Sequence, residues 1–408
     1  MKRTLITNIG MLATPQGTSA RGGRAQGEIC ILKNAWIFIE NDVIAQVGTG
    51  TAPAAVGVQI INAGGKLVTP GLVDAHTHLI FGGWRQNELA LKLHGAGYLD
   101  ILAAGGGILS TMRATKAASE EQLEAKASAA LDEMIRFGTT TAEAKSGYGL
   151  STGEECKALR VIGKLQKHHV MDLAATFMGA HAVPETYRDN RQGYLELLCE
   201  EMLPAVREQG IAEFCDVFCE KGVFSAEESR RILLAGRQHG LRPKIHADEI
   251  EAIGGSELAG EIGAVSAEHL IVCPPSGIAS MARGGTVACC LPATSFYLGA
   301  AYAHVQDMVQ AGVPVAMATD FNPGSCPCLN MQLVISLGCL RYRLTPEQAL
   351  TAVTLNGAAA ICRADRIGSI EPGKQADILI WNAEDLDYIC YRLGSNLVDT
   401  VIKKGNVV

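Results

Sequence analysis

No stretch of this chain sustains the roughly 18 consecutive apolar residues that a membrane-crossing helix needs, so the sequence predicts no membrane span. The first residues, MKRTLITNIGMLATP, carry two basic side chains, but Thr, Asn and Gly interrupt the apolar run that follows, unlike a secretory signal. A basic stripe is also lacking. The 35 Lys and Arg stand among 42 Asp and Glu, and the net charge of −7 with interspersed signs argues against a nucleic acid or an anionic membrane as partner. The 13 cysteines contain no C-x-x-C pair, the nearest approach being Cys326 and Cys328 in GSCPCL, so neither zinc-finger nor thioredoxin chemistry is indicated. An odd number of thiols in apolar settings such as TVACCL reads as reduced and buried, which suits a cytoplasmic protein. The glycine-rich AGGGI is not followed by the G-K-[ST] of a phosphate loop. The partner these absences leave is a small molecule.

At 408 residues and 48% hydrophobic, the chain is too long for one ordinary domain of about 100–200 residues, and fits one α/β barrel plus an accessory unit. Residues 1–65 read as short strands and turns, TLITNIGML, AWIFIENDVIAQVG and VQIINAGG, and residues 359–408 return to that style with ADILIWN and TVIKKGNVV. Both termini are therefore expected to build one small β-sandwich. The polar, glycine-rich tract Gln16 to Gln26 is expected to be a mobile surface loop.

Residues 66–358 alternate short apolar strands with amphipathic helices, the pattern of a parallel sheet. The expected strands are 71–75, 139–144, 172–180, 214–219, 243–247, 264–269, 286–291 and 313–319, and eight of them fit a (β/α)8 TIM-like barrel, for which about 250 residues is typical. Long helices are expected over SEEQLEAKASAALDEMIRF and over LTPEQALTAVTLNGAAA, the latter with Thr345 as N-cap and Pro346 at its first position.

In such barrels active sites form at the carboxyl ends of the strands. The chemically capable residues fall there: His76 and His78 after the first strand, Glu143 and Lys145 on the second, His181 after the third, Glu220 after the fourth, His246 on the fifth, His269 on the sixth and Asp320 after the eighth. His76 and His78 in GLVDAHTHLIFGGWRQNE sit one residue apart at the end of an apolar run, and in extended chain such residues share a face. Surface histidines are the alternative for an isolated H-x-H. A set converging on one rim favours a metal site.

G-L-V-D-x-H-T-H, a histidine after strands five and six, and T-D after strand eight resemble the metal-dependent amidohydrolase superfamily. HTHLIFGGWRQNE, GAGYLDILAAGGGI, AKSGYGLSTGEE, GAHAVPETY, CDVFCEKGVFS, KIHADE, LPATSFYLG and ATDFNPGSCP together resemble the imidazolonepropionase family within it, along nearly the whole chain. The resemblance implies that His76, His78, His246 and Asp320 hold one divalent metal, Zn2+ or iron as Fe2+/Fe3+, which ligand type does not separate. Glu220 stands where binuclear relatives often place a carboxylated lysine, and Lys221 beside it leaves a second metal open. The implied reaction opens the ring of 4-imidazolone-5-propanoate by attack of a metal-activated water on the cyclic amide, giving N-formimidoyl-L-glutamate in histidine degradation. Glu249, His269 and Asp320 are the expected catalytic residues, with the identity of the base left open. Arg85 is expected to hold the propionate, while Tyr98, Tyr148, His181, Glu249, Asn322, Gly324 and Ser325 complete the substrate pocket. A homodimer is expected. The alternatives are another mononuclear amidohydrolase, such as a heterocycle deaminase, and a non-catalytic metal-binding barrel.

Overall fold

The computed structural model describes residues 2–53, 57–94 and 106–408. The chain opens with β1 (Arg3–Thr14), β2 (Cys30–Glu40), β3 (Val43–Thr49), β4 (Gln59–Asn62) and β5 (Leu67–Pro70). β1 and β2 pair antiparallel from Arg3 opposite Glu40 to Thr14 opposite Cys30. Asn41, at φ 57°, turns β2 into β3, a left-handed position that asparagine tolerates well.

The chain then builds eight further strands: β6 (Leu72–Asp74), β7 (Thr139–Lys145), β8 (Asp172–Ala180), β9 (Phe214–Cys219), β10 (Arg242–Ala247), β11 (Ser266–His269), β12 (Val287–Cys290) and β13 (Val315–Met317). They pair in sequence order and every pair is parallel. β8 and β9 occupy the expected spans, and the others differ by a few residues at their ends. The cylinder closes between its first and last strands at the carboxyl rim, where Asp320 N donates to His76 O at 3.0 Å and His78 N to Phe321 O at 2.9 Å. This is a (β/α)8 barrel.

β14 (Ile378–Trp381), β15 (Val398–Lys403) and β16 (Asn406–Val407) return to the first sheet, whose order is β16-β15-β14-β5-β1-β2-β3 with β4 beside β1. Ile6, Ile37, Ile39 and Ile44 share one buried cluster with Ile378, Ile380 and Ile402, so residues from both ends of the strand order face a common core. The sheet curls over its own apolar face. A separate unit drawn from both termini thus stands beside the barrel.

The helix Glu120–Arg136 starts at a capping box in which Ser119 accepts from Gln122 N, and it buries Leu123, Ala127, Leu131 and Met134 on one stripe. The other expected helix is broken into Pro346–Ala352 and Leu355–Ala360. Its break follows from a tertiary contact: the Val353 carbonyl leaves the helical path to accept from Val73 N of β6 at 2.8 Å. The Gln16 to Gln26 tract also differs from expectation. It contains a short 3-10 turn, Gly23–Gly27, and its Gln26 is fully buried, accepting from Val315 N at 3.0 Å at the start of β13. Arg21 N donates to Asn356 Oδ1 at 2.7 Å, so the tract is fastened to the amino end of the barrel. Among the described residues no helix is long and apolar enough to cross a membrane.

Candidate metal centre

β6 ends two residues before His76, and the extended chain aims His76 and His78 inward while Thr77 turns away to bond Glu143 O at 2.6 Å. The rim closure brings Asp320 opposite them. Asp320 Oδ1 lies 3.4 Å from His76 Nε2 and 3.6 Å from His78 Nε2. His246, on β10, places its Nε2 3.3 Å from His78 Nε2 and its ring 4.6 Å from that of His76. Asp320 and His269 adopt φ of 57° and 70°, a conformation that L-residues hold only when the surroundings impose it and that clusters at functional sites.

Ligand atoms of His76, His78 and His246 lie within 4.8 Å of one another, and so do those of His76, His269 and Asp320. His269 therefore stands closer to the donor set than its expected role beside it required. Buried polar atoms ordinarily find partners. Here both ring nitrogens of His76, His78 Nδ1 and Asp320 Oδ1 are buried without a hydrogen bond. Several nitrogen lone pairs and a carboxylate oxygen pointing at one another are what a divalent cation requires, so the residues fit the metal that the sequence predicts. Burial holds His76 and His78 well below the ordinary imidazole value and His246 down to about 3, keeping the rings neutral and able to ligate.

Around this centre, His269 Nε2 lies 3.5 Å from Glu249 Oε2. Burial, helped by the nearby Glu220 carboxylate, pushes Glu249 up to about 7, and burial pushes Asp320 up to about 6 against the opposing pull of His269. An acid poised near neutrality beside a donor set, as Glu249 is, is suited to proton transfer. His181 stacks on His78 with ring centres 4.9 Å apart and has its Nδ1 2.9 Å from Gly147 O, while Tyr148 is buried 5.3 Å from His181.

Arg85 is held at Nε by Glu88 at 3.0 Å, and Glu88, itself buried, also accepts from Gly107 N at 2.6 Å. The guanidinium lies flat against Gly324, where a Cβ would come within 2.2 Å of its Nη1. Gly324→Ala is accordingly expected to swing the Arg85 fork away and raise KM for an anionic substrate by about tenfold or more, the equivalent of one charge-assisted hydrogen bond. Metal content should not change. A wild-type KM would show that the fork and the substrate do not meet.

Asn322 uses its side chain inside its own loop, donating to Asp320 O and Ser325 Oγ and accepting from the amides of Gly324 and Ser325. It shapes the loop that backs Arg85. Tyr98 lies outside the described residues. Glu220 and Lys221 turn away from the centre. Glu220 accepts from the amides of Lys221, Ile250 and Glu251, and Lys221 is exposed and paired with Glu251 at 2.8 Å.

Sequence reasoning missed two residues that touch the donor set. Asp216, in the middle of FCDVFC, lies 3.1 Å from His246 Nδ1. Thr294, in LPATSFYLG, donates to Asp320 Oδ2 at 2.7 Å. A carboxylate in an otherwise apolar strand was the available signal for the first, since such a group is rarely buried without a partner.

Comparison with known proteins accords with this geometry. The family model "Amidohydrolase family" matches residues 67–408. A protein of Alkaliphilus metalliredigens named imidazolonepropionase is 50% identical over 414 aligned positions, covering 100% of this chain and 98% of the relative. One of Bacillus cereus with the same name is 49% identical, covering 100% and 97%. Among solved structures, E. coli guanine deaminase superposes with a TM-score of 0.76 at 16% identity, covering 100% of this chain and 99% of the other, and a triazine hydrolase variant gives 0.76 at 17%, covering 100% and 94%. At those identities the structures speak to the fold alone. With a relative of half-identical sequence aligned along its whole length, the chain belongs to the amidohydrolase family and, within it, to the imidazolonepropionases.

Proposed function

We propose that this chain binds one divalent ion, Zn2+ or Fe2+/Fe3+, through His76, His78, His246 and Asp320, and hydrolyses the ring amide of 4-imidazolone-5-propanoate to N-formimidoyl-L-glutamate. The observation that carries this reading is the convergence of the four side chains at the closed rim, with buried donor atoms that lack other partners. When bound, such an ion supplies Lewis acidity and lowers the pKa of water from 15.7 toward about 7.

The chain's own groups account for the rest. Water oxygen adds to the ring carbonyl carbon, the carbon–nitrogen bond breaks, and the departing nitrogen takes a proton. Glu249, which burial pushes up to about 7, and Asp320 can accept a proton from water and deliver one to that nitrogen, and His269 beside Glu249 can donate to the developing oxyanion. Arg85, fixed through Nε by Glu88, turns its outer nitrogens to the propionate carboxylate in a bidentate pair. Tyr148 and His181, beside His78, complete the substrate pocket, and Gly324 and Ser325 supply its polar floor in a loop that Asn322 holds in shape. Tyr98 completes the wall by the family resemblance. Thirteen free thiols suit a reducing cytoplasm. A homodimer is the working assembly in this reading.

Elemental analysis of purified protein, coupled to an absorbance assay for loss of the imidazolone, tests the reading. About one metal per chain and turnover are expected. Ammonia release from guanine or cytosine in place of imidazolone turnover would overturn the substrate assignment. Arg85→Lys is expected to raise KM about tenfold with a smaller effect on kcat, because it removes bidentate binding of a group remote from the bond that breaks. An unchanged KM would move the propionate contact elsewhere.

A further inference from the structure

Five charged side chains occupy the barrel interior beneath the histidines, where branched apolar residues are usual. Glu143 and Lys145 project from β7, Asp216 from β9, Lys244 from β10 and Glu268 from β11, and each is 0% exposed. They form a continuous chain. Lys244 Nζ lies 3.3 Å from Glu268 Oε1 and 3.1 Å from Glu143 Oε1, and Lys145 Nζ lies 2.8 Å from Glu143 Oε2 and 2.7 Å from Asp216 Oδ2. Asp216 then meets His246 Nδ1 at 3.1 Å. The mechanism above uses none of these five groups, yet their chain ends on an imidazole of the donor set.

Burying an ion costs several kcal/mol unless a partner offsets it, so a fully buried lysine between two carboxylates has to be accounted for. We infer that Lys145 is a positioning residue for the metal centre: its ammonium holds the Asp216 carboxylate where it accepts the Nδ1 proton of His246, leaving the Nε2 lone pair of that ring facing His78. The two neighbouring strands supply the geometry. Asp216 and His246 stand on β9 and β10, two residues out of register in a ladder that pairs His246 with Phe218. A carboxylate reaching across from the strand below the imidazole fixes both its tautomer and its tilt. Lys145, from β7 on the far side, closes the carboxylate's remaining edge. Burial alone would disfavour its charge, but Asp216 and Glu143 outweigh that and keep it protonated.

The inference rests on His246 being a ligand, and the test separates the two. Dissociation constants for Zn2+ are measured by chelator competition on the full chain and on Lys145→Met, Asp216→Asn, the double variant and His246→Ala. Lys145→Met and Asp216→Asn are each expected to weaken zinc binding by about 10–100-fold, the range for partners that orient a ligand, with KM for substrate nearly unchanged. The double variant should be no weaker than Asp216→Asn alone, because Lys145 acts through Asp216. Wild-type zinc affinity in Lys145→Met, or losses that simply add, would overturn the inference while weakened binding in His246→Ala leaves the ligand assignment standing. Full zinc retention by His246→Ala would overturn both. If Lys145→Met does not fold, Asp216→Asn, which keeps the side-chain shape, decides alone: unchanged affinity overturns the inference and a loss in the stated range supports it.

Discussion

Purified His78→Ala is expected to lose metal and turnover together, with kcat/KM falling by at least about a thousandfold. The size follows from the chemistry: without a cation the nucleophile is ordinary water with a pKa of 15.7 in place of about 7. The position follows from the structure. His78 Nε2 faces both His246 Nε2, at 3.3 Å, and Asp320 Oδ1, at 3.6 Å, so it stands at the middle of the donor set. Truncation removes the donor that faces both of these, so the three that remain surround a gap instead of sharing one centre. Metal analysis and the absorbance assay on the same sample provide the check. Stoichiometric metal with normal turnover would sink the assigned site.

Glu249→Gln carries the other large effect, and it acts without touching the metal. General acid–base groups contribute about 10²–10⁴-fold, and a loss of that size in kcat with metal content intact is expected. Its pH dependence gives an independent signature. Burial raises Glu249 from the ordinary carboxylate range to about 7. Between about pH 4.3 and 7 the folded chain therefore keeps a proton that the unfolded chain has released, and stability falls as pH rises through that window. Glutamine carries no such proton, so the variant should lose this slope, together with any limb of the activity profile that inflects near 7. A variant that keeps wild-type kcat would hand the proton transfer to Asp320.

Several features of the molecule were legible in residue order because they depend on local periodicity. Runs of alternating or wholly apolar residues marked β8 and β9 to the residue, because a strand buried by helices outside and by side chains within the barrel leaves few other patterns. Apolar residues at three and four spacing marked the helix Glu120–Arg136 for a similar reason. Histidines and Asp320 at strand ends identified a metal chemistry because carboxyl ends of barrel strands meet at one rim.

Other features needed contacts between segments far apart in the chain. The periodicity through Val353 is helical, yet Val73 N draws its carbonyl out of the helix. Gln26 sits in a tract rich in glycine and polar residues, which locally favours a loose loop, yet the open edge of Val315 gives its amide a buried partner. Asp216 is marked locally only as a carboxylate in an apolar strand, and its partners Lys145 and His246 arrive from other strands.

Side-chain type and spacing were enough to set histidines and acids at the strand ends, because that follows from which way each residue points, and the resemblance of the motifs singled out His76, His78, His246 and Asp320 among them and named the family. Which donors face one another, what holds Arg85 and why a lysine is tolerated beneath five histidines followed only from closure of the cylinder between β6 and β13. Closure sets distances across the barrel, and no one-dimensional period encodes a distance between residues 145, 216 and 246.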